Sequence, residues 1–268
     1  MEIRSILVNV DLDTANPAVN YASNLAAACG AEVVGIAAAE PTLVVSSIDG
    51  QLAADYYELE RRNIESKLER AEDRFRSAIA ASVPFKWRSF VADPTRMILE
   101  QVRSADVVVV DAGSSETEQT VNIGHLILAS GRPVIVARDQ GGLFSLDRIA
   151  IAWKDTREAR RAVSDALPLL RRASQVCVVT RSEGDRQSEA TSLADVVGWL
   201  KRHGVDADSH LVDEGGQFLN AMGMLTVVDA PDLVVSGGYG HSRFREWLLG
   251  GVTNDLLRAR GVNRLFSN

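Results

Sequence analysis

Residues 236–257 read SGGYGHSRFREWLLGGVTNDLL, with glycines at positions 237, 238, 240, 250 and 251. Residues without a Cβ can serve two ends here. They can let main-chain N–H groups close on a phosphate, or let a helix pack tightly on a strand. The run follows DLVV, so Gly237, Gly238 and Gly240 belong to the carboxyl end of a buried strand, where open parallel sheets bind ligands. Gly250 and Gly251 precede VTNDLLRAR, a helix start whose free N–H groups and dipole suit an anion. A strand end, an outward loop and a returning helix N-terminus form a fold-back able to hold phosphates.

Other patterns carry less chemistry. The loop lacks the GxxxxGK[ST] of a Walker A motif and the three closely spaced glycines of a dinucleotide fingerprint. GHSRF (240–244) begins like a nucleophile elbow, but Phe244 stands where that sharp turn needs glycine, and His241 adjoins Ser242 in sequence rather than facing it. His125, His203, His210 and His241 show neither the i,i+4 spacing nor the cysteine company of a zinc site, and His203 and His210 read as surface groups. Asp11 with Asp13, and Asp206 with Asp208, read as turn and surface acids. Arg243 and Arg245 beside Trp247 are too few to mark a nucleic-acid surface and fall near the phosphate region instead. No catalytic residue and no metal ligand is predicted.

The elements that must position the glycine loop follow from apolar runs. Strands are predicted at 4–11, 31–39, 85–91, 105–113 and 132–138, with helices at 15–29, 52–82, 94–104 and 120–130 between them. Near-continuous apolar strands alternating with helices specify a parallel sheet covered on both faces. The order then restarts: strands at 147–155, 175–180, 206–212 and 231–240, helices at 156–172, 186–203, 216–229 and about 250–260, and a terminal strand VNRLFSN.

The chain is therefore an internal repeat, with copies at 1–141 and 146–268 joined by the glycine pair and polar residues of 139–147. The copies are offset by about 143 residues at their first strands and about 126 at their fourth. The difference lies in the long charged helix of the first copy. There Ile64, Leu68, Ala71, Phe75 and Ala78 form a stripe that docks the helix on its own sheet.

The spacing of Gly237, Gly240 and Gly250 resembles the G-x2-G-x9-G-[ST] loop of the universal stress protein family. ILVNVD, IAIAWKDTREARRAVSDALPLL, ADVVVV, PDLVV and RPVIVA resemble that family's strands and first helix, so the likeness covers nearly the whole chain. It implies two tandem open parallel five-stranded sheets with helices on both faces, a Rossmann-like fold of the adenine nucleotide alpha hydrolase type. It further implies a pseudo-dimer of the two copies through their fifth strands, and a role in stress response. In the second copy it places adenine near Val179 and Thr180. Phosphates then fall near Gly237, Gly240, His241, Ser242, Gly250, Gly251, Val252 and Thr253, with Trp153, Lys154 and Asp155 at the end of the first strand. ATP, ADP and AMP are all compatible, Mg2+ arriving only with a triphosphate. Hydrolysis is slow at most, since neither a general base nor a metal-binding carboxylate stands at the loop.

Two departures qualify the resemblance. Gly251 replaces the hydroxyl residue that follows the third glycine, with Thr253 as a partial substitute, and Lys154 stands where the family has Asp unless the alignment slips to Asp155. In the first copy Asp111, Ser114, Gly124 and His125 fall opposite Gly237, Gly240, Gly250 and Gly251. A carboxylate there repels phosphate, so the first copy reads as a retained scaffold. The rival reading makes the whole chain an interaction protein of the same fold that takes no nucleotide.

Composition narrows the remainder. Of 268 residues 46% are apolar and 24% charged, and the net charge of −7 argues against nucleic-acid binding. No apolar run spans a bilayer and no leader opens the chain, which points to the cytoplasm. Cys29 and Cys177 read as buried free thiols. The terminal strand, if exposed, offers an edge for homodimer formation.

Overall fold

The computed structural model describes residues 2–13, 16–41, 50–112, 121–139, 144–182, 184–212, 230–238, 256 and 261–268. By contacts they form two units, one of Ile3–Ser130 and one of Gly131–Asn268 with Glu2. Both are α/β with a mainly parallel sheet.

The N-terminal unit comprises β1 (Ser5–Asn9), α1 (Pro17–Cys29), β2 (Glu32–Ala39), α2 (Gly50–Ala78), β3 (Phe85–Val91), α3 (Pro94–Gln101), β4 (Val107–Asp111) and α4 (Ile123–Ala129). Its strands lie in the order β3-β2-β1-β4, all neighbours parallel. Strands β1, β2 and β4 are buried along almost their whole length, as covering on both faces demands. Pro17 opens α1, and Gly30 closes it in the left-handed conformation at φ 67°.

The long α2 docks by its second half. Ile64, Leu68, Ala71 and Phe75 are buried as the stripe predicts, while Ala78 is exposed and Ile79 takes up the contact. The Phe75 ring lies over Gly35 of β2, where a Cβ would stand 2.7 Å from ring carbons. It meets Phe85 edge-on at 5.6 Å and Trp87 at 5.2 Å between centroids. The missing side chain of Gly35 is the socket for this aromatic knob.

The C-terminal unit comprises β5 (Val134–Ala137), β6 (Arg148–Ala152), α5 (Arg157–Leu170), β7 (Gln175–Arg181), α6 (Arg186–Arg202), β8 (Asp208–Val212), β9 (Leu233–Gly237) and β10 (Asn263–Ser267). Its strand order is β5-β10-β9-β6-β7-β8, parallel throughout except that β5 runs antiparallel to β10. The fifth strand of each copy thus pairs with the other, and β5 groups by contact with the C-terminal unit. Arg264, with no exposed surface, ties the pair together by donating to the carbonyls of Val136 and Ala137 at 3.5 and 3.3 Å, and to Leu256 O at 3.3 Å. Asn263 Oδ1 accepts from Arg138 N at 3.1 Å. Since β10 has neighbours on both sides, the terminal strand presents no free edge for intermolecular pairing, contrary to the expectation from sequence.

The predicted helix at 216–229 lies outside the described residues, as does that at about 250–260 apart from Leu256. Neither Cys29 nor Cys177 forms a disulfide, and both are half-buried rather than buried. Among the described residues, no helix is long and apolar enough to cross a membrane.

Candidate functional site

The described part of the candidate site is the carboxyl rim of the C-terminal sheet, where β9, β6 and β7 end side by side. The ladder between β6 and β7 runs one residue beyond β6, Trp153 N donating to Val179 O at 2.8 Å. The N-terminal unit has the same bond, Val10 N to Ile36 O at 2.8 Å. Trp153 therefore corresponds to Val10, and Lys154 rather than Asp155 stands opposite Asp11. Lys154 is exposed at the rim. Asp155 pairs with Arg160 at 2.9 Å, and the Trp153 indole N–H donates to Ser192 Oγ at 3.0 Å, so both side chains turn towards the α5–α6 side.

The helix that follows is short of free donors. Thr156 caps α5, its hydroxyl accepting from Ala159 N at 3.2 Å. Glu158 lies buried in the first turn, where the helix dipole favours its charge, and pairs with Arg157 at 3.0 Å. Ala159, Ala162 and Ala166 make a small-residue face that lets α5 sit close to β9.

Gly237 completes that approach. A Cβ on it would stand 2.6 Å from Ala159 N and 2.8 Å from Glu158 C, closer than any side chain tolerates. Its bareness serves strand–helix packing. Gly238 N donates to Ser267 O at 2.8 Å, and Gly238 O accepts from Asn268 Nδ2 at 2.8 Å. The first two glycines of the loop are therefore engaged with the protein itself. Gly240, His241, Ser242, Gly250, Gly251, Val252 and Thr253 lie outside the described residues, as do Arg243, Arg245 and Trp247.

Val179 and Thr180 are buried at the end of β7, and the Thr180 hydroxyl has no hydrogen-bond partner among the described residues. The buried Ser267 hydroxyl on β10 is in the same condition. Buried hydroxyls are nearly always satisfied, by protein or by ordered water, so each of the two calls for a partner beyond the described side chains. The strand register puts Ala37 of the N-terminal unit opposite Thr180, without a hydroxyl.

The N-terminal rim is closed by its own side chains. Asp111, at the end of β4, accepts from Ala18 N in the first turn of α1 at 2.8 Å. The first turn of α4 is capped in the same way, Asn122 Oδ1 accepting from His125 N at 2.9 Å. Gly124 and His125 thus begin a capped helix, and Ser114 lies outside the described residues. Asp11 folds into a local turn, accepting from Asp13 N at 2.8 Å.

One matched pair escaped the sequence reading. Asp106 accepts from the amides of Arg4 and Ser5 at 2.8 and 3.0 Å, tying β4 to the start of β1. Asp232 does the same for β9 and β6 through Arg148 N at 2.9 Å, and accepts from Ser145 Oγ at 2.8 Å. The signal was the aspartate preceding the apolar run in both ADVVVV and PDLVV.

No protein-family model and no curated protein sequence matches the chain. Solved structures do. A universal stress protein from Archaeoglobus fulgidus DSM 4304 superposes with a TM-score of 0.68 at 14% identity, covering 100% of this chain and 97% of that one. A putative universal stress protein from Pseudomonas aeruginosa UCBPP-PA14 gives a TM-score of 0.62 at 15% identity, covering 99% and 93%. The cytoplasmic domain of a prokaryotic cation chloride cotransporter gives 0.50 at 12%, covering 98% and 95%. At such identities the likeness establishes the fold, an α/β architecture shared with universal stress proteins over the whole chain.

Proposed function

We propose that the C-terminal unit binds an adenine nucleotide at the rim of its sheet, and that the chain acts as a ligand-biased switch in a stress response. The observation carrying this reading is the Thr180 hydroxyl, buried and unpartnered among the described residues at the end of β7. A hydrogen bond to the edge of a base would satisfy it, and its counterpart Ala37 offers none. The contrast between units also favours one site: α1 is closed by the Asp111 carboxylate, whereas β9 carries no acid at the matching Gly237. Lys154 at the rim suits phosphate oxygens, and the remaining phosphate contacts fall to Gly240, His241, Ser242 and Gly250 to Thr253. Hydrolysis is slow at most, and Mg2+ enters with a triphosphate. The chain works in the cytoplasm, its two repeat copies forming an intramolecular pseudo-dimer that can also associate as a homodimer.

A second reading, an interaction protein that takes no nucleotide, draws on Gly237 and Gly238, which are occupied by packing and by Ser267. The same architecture in a transporter's cytoplasmic domain agrees with it, since a fold hosts many functions.

Thermal unfolding of the full chain with ATP, ADP and AMP separates the two. A ligand at 100 times its dissociation constant stabilises by about 2.7 kcal/mol, a shift of several degrees. Thr180→Val is expected to raise the melting temperature without ligand, by removing an unsatisfied hydroxyl, and to shrink the nucleotide-induced shift. Flat melting curves with all three nucleotides leave the interaction protein as the function.

A further inference from the structure

A cleft of about 410 Å3 lies between α5 and α6 and reaches the end of β6 at Trp153 and Asp155. That volume is in the range of small-molecule sites. Its apolar surface comes from Trp153 and Trp199 with Val163 and Val196. Trp153 is 8% exposed and fixed by its bond to Ser192. Trp199 is braced from its own helix by His203, the ring centroids 4.1 Å apart. Two immobilised indoles form a ready surface for a flat ring, at little cost in side-chain entropy.

The rim carries two charges of each sign. Arg160 is paired with Asp155, while Asp195 and Arg202 make no ion pair among the described residues. Both project from α6, seven residues apart, and Arg202 turns back along the helix, its Nη1 3.6 Å from where a Cβ on Gly198 would stand, about one turn from Asp195. A phosphorylated ligand gains no net attraction from such a rim. A zwitterion can address both unpaired groups, its ammonium near Asp195 and its carboxylate near Arg202.

We propose that this cleft binds a small planar aromatic zwitterion, the chemical class of the free aromatic amino acids. The cleft shares Trp153 and Asp155 with the nucleotide reading, but the proposal rests on the two indoles and the charges of α6 and does not depend on that reading.

The test uses the full chain and three probes that share one ring: L-phenylalanine, 3-phenylpropionate and phenethylamine. Binding is followed by tryptophan fluorescence and calorimetry at neutral pH. L-Phenylalanine is expected to give a saturable signal and to bind about tenfold or more tightly than the anion or the cation. Trp199→Leu is expected to weaken it about tenfold. Arg202→Glu changes an exposed residue, so the fold is retained, and it is expected to turn the preference to phenethylamine. The proposal is overturned if none of the probes binds at millimolar concentration. It also fails if the anion or cation binds the unaltered chain best, or if both variants bind L-phenylalanine unchanged.

Discussion

Gly237 at the end of β9 and Ala159 in the first turn of α5 approach so closely that a Cβ on the glycine would stand 2.6 Å from the Ala159 nitrogen. Both partners at this contact are main chain, so neither can swing aside. Gly237→Ala should destabilise the protein by about 1–3 kcal/mol, the usual cost of forcing a methyl into a filled space. Denaturant unfolding checks this. An effect near zero would mean that α5 can slide away from β9.

Asp111 and Ala18 make the corresponding contact in the N-terminal unit through a hydrogen bond of 2.8 Å. Removing a side chain that caps a helix costs about 1 kcal/mol, so Asp111→Ala should lower the unfolding free energy by that amount, seen as a lower denaturation midpoint with an unchanged slope. Nucleotide-dependent stabilisation should be the same in this variant as in the parent. A larger nucleotide response would show that the carboxylate had been blocking a second site.

Phe75 and Gly35 are one packing unit, and their substitutions should not be additive. Phe75→Ala is expected to cost about 3–5 kcal/mol through the cavity it leaves. Gly35→Ala alone should also destabilise, because its methyl meets the ring at 2.7 Å. In the Phe75→Ala background the same methyl enters vacant space, so the double variant should be more stable than the two losses together imply. A double-mutant cycle measures the difference.

The Cys177 thiol is pushed up to about 11 from its ordinary 9.0, by burial first and by the Asp208 carboxylate second. The folded protein keeps its proton where an unfolded chain would lose it. From pH 9.0 towards 11 the unfolded state therefore binds fewer protons, and stability falls as pH rises. Below that window the group has no effect. Alkylation of native Cys177 should be slow at pH 8 and should quicken on unfolding, as mass spectrometry of the labelled chain would record.

Much of the architecture was legible because the strands are apolar enough to declare burial on both faces. ILVN and IAIA open the two copies and VVVV and LVV form their fourth strands, each in the place the repeat assigns, and the α2 stripe predicted its docked side from Ile64 to Phe75. The antiparallel β5–β10 pairing was not readable in the strand patterns themselves, since RPVIVA carries no mark of which neighbour it takes; only the family resemblance pointed to it. At the rim, sequence gave residue types but not their employment. Gly237 looks the same in a string of letters whether its missing Cβ makes room for a phosphate or for a helix. Asp106 and Asp232 were passed over because an aspartate before a strand resembles an ordinary turn residue until its acceptor oxygens are seen on the neighbouring strand's amides.

The exchange at β5 determines where the polypeptide can be divided. A C-terminal fragment beginning at the glycine pair of 141–142 would leave behind the segment that covers one side of β10. The uncovered backbone, with Arg264 deprived of the Val136 and Ala137 carbonyls, would become an adhesive margin and should drive the fragment into oligomers. A fragment beginning at Gly131 keeps β5 on β10 and the carbonyls under Arg264, and should associate less, a contrast that sedimentation would reveal. The natural seam in this molecule lies upstream of the place where its sequence looks most like a joint.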